Sequence, residues 1–169
     1  MRQYRIQVCE AVFAVMLAAC GGAAKPETTG PINPGDKIGD ILITTGDGED
    51  VVFVTKLHCP SDSSTSTESC EQPVGTKVNV SQGIYGDPST GKSLDELWAE
   101  QTYEMTIEGR PVNLQAFGSV DFAHPAVGTV RVWNVAVATE KPGKITARST
   151  GVVGGDPWEY TAIISFIAP

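Results

Sequence analysis

Positive charge is scarce in this chain: 12 Lys and Arg stand against 20 Asp and Glu, for a net charge of −8. That balance argues against nucleic acid as a partner, because an acidic protein gains nothing from releasing phosphate counterions. Histidine is nearly absent, with only His58 and His124. No Gly-x-Ser-x-Gly or His-Glu-x-x-His pattern occurs, so the common nucleophile–base and zinc-hydrolase arrangements are missing. No apolar run reaches the roughly 20 residues that a membrane-spanning helix needs. Long helical patterns are also lacking, whereas 18 Gly and 11 Pro supply many turns, which points to an all-β fold.

What is present begins at the start of the chain. Met1-Arg2-Gln3-Tyr4-Arg5 gives way to an apolar run from Ala11 to Ala19, with Cys9-Glu10 as an irregularity at its edge. A basic start and a short apolar stretch read as a secretory leader. The ending Leu17-Ala18-Ala19-Cys20-Gly21 resembles the lipobox of bacterial lipoproteins. That resemblance implies cleavage before Cys20, acylation of Cys20 and an extracytoplasmic domain anchored to a bacterial membrane through its lipid. Residues 1–19 are then the signal peptide. The mature chain keeps 10 basic and 19 acidic residues, a net charge of −9, so the lipid rather than the protein surface must hold it at an anionic membrane.

Of four cysteines, Cys9 leaves with the leader and Cys20 is the lipid site, which leaves Cys59 and Cys70. In an exported protein this pair reads as a disulfide, contributing about 3 kcal/mol for a loop of this length if unstrained. The alternative is a metal site using His58, Cys59 and Cys70, with His124, but two cysteines ten residues apart match no zinc spacing. No cofactor is expected.

Residues 20–36, rich in Gly and Pro and without apolar period, read as a flexible tether with a reach of about 20 Å. Residues 37–169 form one domain. Lys37 to Thr45 and Val51 to Leu57 read as strands around the Gly46–Asp50 turn, and His58 to Pro73, almost all Ser, Thr, Asp and Glu, reads as a surface loop pinned by the disulfide. Lys77 to Ser81 alternates, with Val78 and Val80 inward. Ser93-Leu94-Asp95-Glu96 has capping-box form and predicts a helix of about two turns with Leu94, Leu97 and Trp98 on one face. Tyr103, Met105 and Ile107 run into a Glu108-Gly109 turn, with Val112, Leu114 and Ala116 alternating back as a hairpin strand.

The last third predicts three antiparallel strands, Thr129 to Thr139, Lys144 to Thr150 and Trp158 to Ile167, the second and third separated by a Gly-rich loop from Gly151 to Pro157. In the first of these, Val130 and Val132 face one way while Trp133, Val135 and Val137 face the other, so either both faces are covered or a bulge flips the register. Trp133-Asn134-Val135, Pro142 to Arg148, and Tyr160 leading into a final apolar strand resemble the last strands of bacterial secreted immunoglobulin-like domains. The resemblance implies an immunoglobulin-like antiparallel β-sandwich, here of about eight strands with one short helix inserted. It carries no activity by itself.

The candidate chemistry is thin. Asp95, Glu96, Glu100, Glu104 and Glu108 form an acidic series that could supply a glycosidase pair, but they straddle a short helix and an exposed strand face. Asp47, Glu49 and Asp50 could hold calcium in a turn yet lack the order of an EF-hand loop. Trp158, after Gly154-Gly155-Asp156-Pro157, and Tyr85, between Gly83-Ile84 and Gly86-Asp87, either cap the core or project from a sandwich rim, where they could stack on a sugar ring or a partner side chain. Trp98 and Trp133 read as core. The expected function is a membrane-anchored, non-catalytic binding or interaction module whose partner is an envelope protein or glycan. The alternatives are a carbohydrate-binding jelly roll and a small cell-envelope hydrolase.

Overall fold

The computed structural model describes residues 30–46, 51–53, 65–86, 91–124, 127–153 and 155–168. The leader, Cys20, Cys59, His58 and the acidic turn at Asp47, Glu49 and Asp50 lie outside them. Among the described residues the chain is mostly β, with antiparallel pairing dominant and two short helices.

Two five-stranded sheets share one core. The first contains β1 (Lys37–Ile38), β2 (Ile41–Thr45), β11 (Val135–Ala138), β5 (Lys77–Asn79) and β3 (Val51–Phe53), in that spatial order. The second contains β4 (Thr65–Pro73), β13 (Asp156–Ile167), β12 (Gly143–Val153), β7 (Thr102–Ile107) and β8 (Arg110–Pro111). Alternate residues of each sheet turn inward, as the two-residue period of a strand requires. Ile41, Ile43, Val78, Val135 and Val137 from one meet Met105, Ile107, Ile145, Ile164 and Phe166 from the other. A smaller sheet of β6 (Gly83–Tyr85), β10 (Gly128–Trp133) and β9 (Ser119–His124) sits beyond them.

Several local expectations hold. Helix α1 (Leu94–Glu100) starts on a complete capping box: the Glu96 N–H donates to Ser93 Oγ at 3.3 Å and the Ser93 N–H donates to Glu96 Oε2 at 2.8 Å. Glu108 and Gly109 both take positive φ, 49° and 75°, which gives β7 and β8 the two-residue turn that matches strand twist.

Other expectations fail for identifiable reasons. Thr65–Pro73 is not loop but β4, a nine-residue edge strand parallel to β13. Its inward positions are Glu68, Cys70 and Gln72, opposite Ala162, Ile164 and Phe166. An edge strand is covered on fewer sides, so half-buried polar residues are tolerated, and an inward Glu also discourages pairing with other chains. Cys70 packs against the core, its pKa raised by burial, and forms no disulfide among the described residues; Cys59, its expected disulfide partner, lies outside them. After β8 the chain does not continue as a strand; it turns through α2 (Leu114–Phe117), whose Leu114 and Phe117 plug the core.

Ile32, placed in the tether by the sequence, is wholly buried and bridges Val112, donating its N–H to the Pro111 carbonyl at 2.8 Å. Ordered packing thus begins before Lys37. The Gly-rich stretch is not an open loop either, because β12 and β13 stay paired out to Val153 and Asp156.

The largest difference concerns β10 and β11. They form one continuous run in sequence, but at Asn134 the chain leaves the three-stranded sheet and enters the first five-stranded one. β11 therefore pairs with β2 and β5, not with β12. The flip of facing seen between Val132 and Val135 marks this crossing.

Candidate functional site

The register of the second sheet places Tyr103, Gly151 and Trp158 in one row across β7, β12 and β13, all pointing to the same face. Because Gly151 has no side chain, the flanking rings close over it, and Tyr103 and Trp158 meet edge to face with centroids 5.1 Å apart and planes at 60°. Edge-to-face contact sets the positive rim of one ring against the negative face of the other.

From Tyr103 the row runs into the small sheet. Its ring lies 6.2 Å from that of Trp133, the last residue of β10, and Trp133 lies 5.1 Å from Trp98 of α1. The four rings, Trp158, Tyr103, Trp133 and Trp98, thus form a continuous strip built from four separate elements. All four residues are partly buried, and Tyr103, Trp133 and Trp158 pack against the core.

Hydrogen bonds fix the middle of the strip. The Tyr103 hydroxyl accepts from the Gln82 N–H at 2.7 Å and donates to Ser149 Oγ at 2.9 Å. Burial pushes its pKa up to about 12, against the pull of these bonds. Burial raises Tyr160 in the same direction. A tyrosine held neutral in the fold contributes stability that is complete below its unfolded pKa near 10 and is lost as pH rises towards 12. Stability should therefore fall across that window, and Tyr103→Phe should flatten the fall in part while costing about 1–2 kcal/mol at neutral pH from the two lost bonds. Urea denaturation at neutral and alkaline pH measures both; an unchanged alkaline slope in the variant would contradict the assignment.

Trp133 is set by a buried polar network. Its carbonyl accepts from Asn79 Nδ2 at 3.0 Å, Asn79 Oδ1 accepts from the Ser81 N–H at 2.9 Å, and the single Ser81 hydroxyl proton is shared between that carbonyl at 2.6 Å and Asn79 Oδ1 at 2.8 Å. The next residue, Asn134, is held by Gly46, whose N–H donates to Asn134 Oδ1 at 2.8 Å. Trp98 is set by charge. Arg131 forms a two-pronged pair with Asp121, at 2.6 and 2.8 Å, reaches Asp95 of α1 at 2.8 Å with its other amine, and lies 5.6 Å from the centre of the Trp98 ring. These bonds hold the Asp121 carboxyl below its ordinary pKa and raise that of the guanidinium.

Some polar atoms near the strip have no hydrogen-bond partner among the described residues. They are the indole nitrogens of Trp133 and Trp158 and both side-chain polar atoms of Gln101 at the end of α1, all buried.

The two aromatics singled out by sequence are not brought together. Trp158 ends the strip. Tyr85 is 41% exposed, but it pairs with Val130 and so occupies the opposite face of the small sheet from Arg131 and Trp133. Trp133, read as core, does pack against it and is also a member of the strip; Trp98, also read as core, joins the strip from α1. Their meeting depends on four elements distant in sequence, and no local pattern carries it.

The acidic series is occupied structurally. Asp95 pairs with Arg131, Glu96 caps α1, Glu100 pairs with Lys92, and Glu108 accepts from the Thr146 N–H. Glu104 stands exposed opposite Thr150. Among the described residues, no cluster of three or more His, Cys, Asp or Glu could hold a metal ion.

No family model matches the chain, and no curated protein matches it. Among solved structures, a chain described as "Structure of PbICP-C in complex with falcipain-2" is similar over 72% of this chain and 100% of that one, at 14% identity and a TM-score of 0.34. A likeness that shallow fixes neither fold nor activity.

Proposed function

We propose that this chain is a non-catalytic binding module on an immunoglobulin-like sandwich, held outside the cytoplasm by a lipid on Cys20, and that it engages an envelope protein or glycan through the aromatic strip. The strip carries the reading. Large rigid rings supply contact area at low cost in conformational entropy, and four in continuity form a platform of the kind that anchors interfaces. Two five-stranded sheets around one core support the sandwich, and the lipobox-like Leu17-Ala18-Ala19-Cys20 supports the anchor. A carbohydrate-binding role is the second reading, favoured by the same rings, which suit stacking on a pyranose face.

Cross-linking in the native envelope tests the proposal, with Cys20→Ala as the control for location. The wild type should fractionate with membranes, take up a fatty-acid label and capture a partner. Cys20→Ala should lose label and membrane association, and Trp158→Ala should reduce capture at least about tenfold, the effect of removing an aromatic anchor. Undiminished capture by Trp158→Ala would remove the strip from the interface. Turnover of a polysaccharide that disappears in Glu96→Gln or Glu104→Gln would favour the hydrolase instead.

A further inference from the structure

We propose that α1 is a lid on the aromatic strip, latched shut by Arg131, and that its opening uncovers Trp133 for a ligand. This rests on reading the strip as the binding surface and adds its regulation.

The lid is lightly attached. Of the seven residues of α1 only Leu97 is fully buried; α1 lies against β6 and β10, and its side-chain links to the body include the Trp98 ring on Trp133, the Arg131 guanidinium over the Trp98 ring and one ion pair from Asp95 to Arg131. The Asp95 side chain is 84% exposed, so water and salt compete for that pair. Arg131 itself stays in place without the lid, because its two-pronged bond to Asp121 belongs to the small sheet.

The lid also holds itself together. Its capping box and its Lys92–Glu100 ion pair both lie within residues 92–100, so neither has to break when the helix moves as a unit. On one side stands Gly91, at a φ of +71° that favours glycine; on the other, Gln101 turns directly from helix to extended chain.

What lies under and beside the lid is unsatisfied when it is shut. The Trp133 indole N–H and both polar atoms of the Gln101 amide are buried with no partner among the described residues, which penalises the closed state. Opening lets water or a hydrogen-bonding ligand reach them and frees the Trp133 ring that Trp98 covers. A ligand that stacks on Trp133 and accepts from its N–H binds the open form only, and so shifts the population towards it.

Acrylamide quenching of tryptophan emission tests the lid without any ligand, in a Trp158→Phe background that leaves Trp98 and Trp133. Asp95→Asn should increase the quenchable population about two- to fivefold, the shift that loss of one surface ion pair produces. Asp40→Asn, which breaks the comparable exposed pair with Lys141 away from α1, should not. Trp98→Ala, leaving Trp133 as the sole emitter, should make it readily quenched. Equal quenching in Asp95→Asn and Asp40→Asn, or a Trp133 still shielded in Trp98→Ala, would overturn the lid. So would a rise in quenching that appears only with a matching fall in Tm, since α1 would then be melting with the whole domain. Because no partner is involved, these results stand apart from the capture experiment.

Discussion

Replacing Gly151 with alanine is expected to destabilise the domain by about 1–3 kcal/mol and to displace Trp158 from Tyr103, with valine costing more. A Cβ at this position would lie 2.1 Å from the Thr102 carbonyl oxygen and 2.8 and 2.9 Å from two atoms of the Trp158 indole. The indole could swing outward, but the carbonyl is backbone in a paired neighbouring strand and cannot yield without disturbing the β7–β12 ladder. Urea denaturation reports the loss of stability, and near-UV circular dichroism reports the broken ring contact. A variant as stable as the wild type with an unchanged near-UV spectrum would show that the rings do not close over Gly151.

Asn79→Leu should cost about 3 kcal/mol, because it removes the acceptor of the Ser81 N–H and one donor to the Trp133 carbonyl at a site sealed from water. Asn79 is 1% exposed, so solvent cannot replace its bonds. Ser81→Ala should cost less, since Asn79 still donates to Trp133. The double variant should fall short of the sum, because the two side chains share one network. The network pins the point where the chain changes sheet, so Asn79→Leu should also loosen Trp133 and alter the aromatic spectrum. Additive losses below about 1 kcal/mol would mean that the network does not hold the crossing.

The strip explains why the candidate site was only partly legible beforehand. Trp158 stood out through its Gly-Gly-Asp-Pro approach, and Trp98 through a capping box that fixes a helix locally. Neither signal says that the two belong to one surface. Tyr85 shows the converse, since an aromatic between glycines looks available and is exposed, yet pairing with Val130 sends it to the other face. Trp133 packs against the core as its apolar run suggests, yet it is only partly buried and also meets Tyr103 and Trp98.

Sequence by itself determined the features that depend on neighbours within a few residues. The β-rich character, the capped α1, the Glu108-Gly109 turn and the reversal of facing after Val132 all follow from local period, capping groups or backbone sterics. Tertiary structure decided everything that depends on which strand lies beside which. It made a strand of the Ser- and Thr-rich Thr65–Pro73, because β13 offers an open edge whose hydrogen bonds need no apolar side chains. It drew Ile32 into the core, sent β11 to a different sheet from β10, and closed Tyr103 and Trp158 over Gly151. Hydrogen-bond ladders join residues far apart in the chain, and a local pattern records only that a residue can pair, not with which partner.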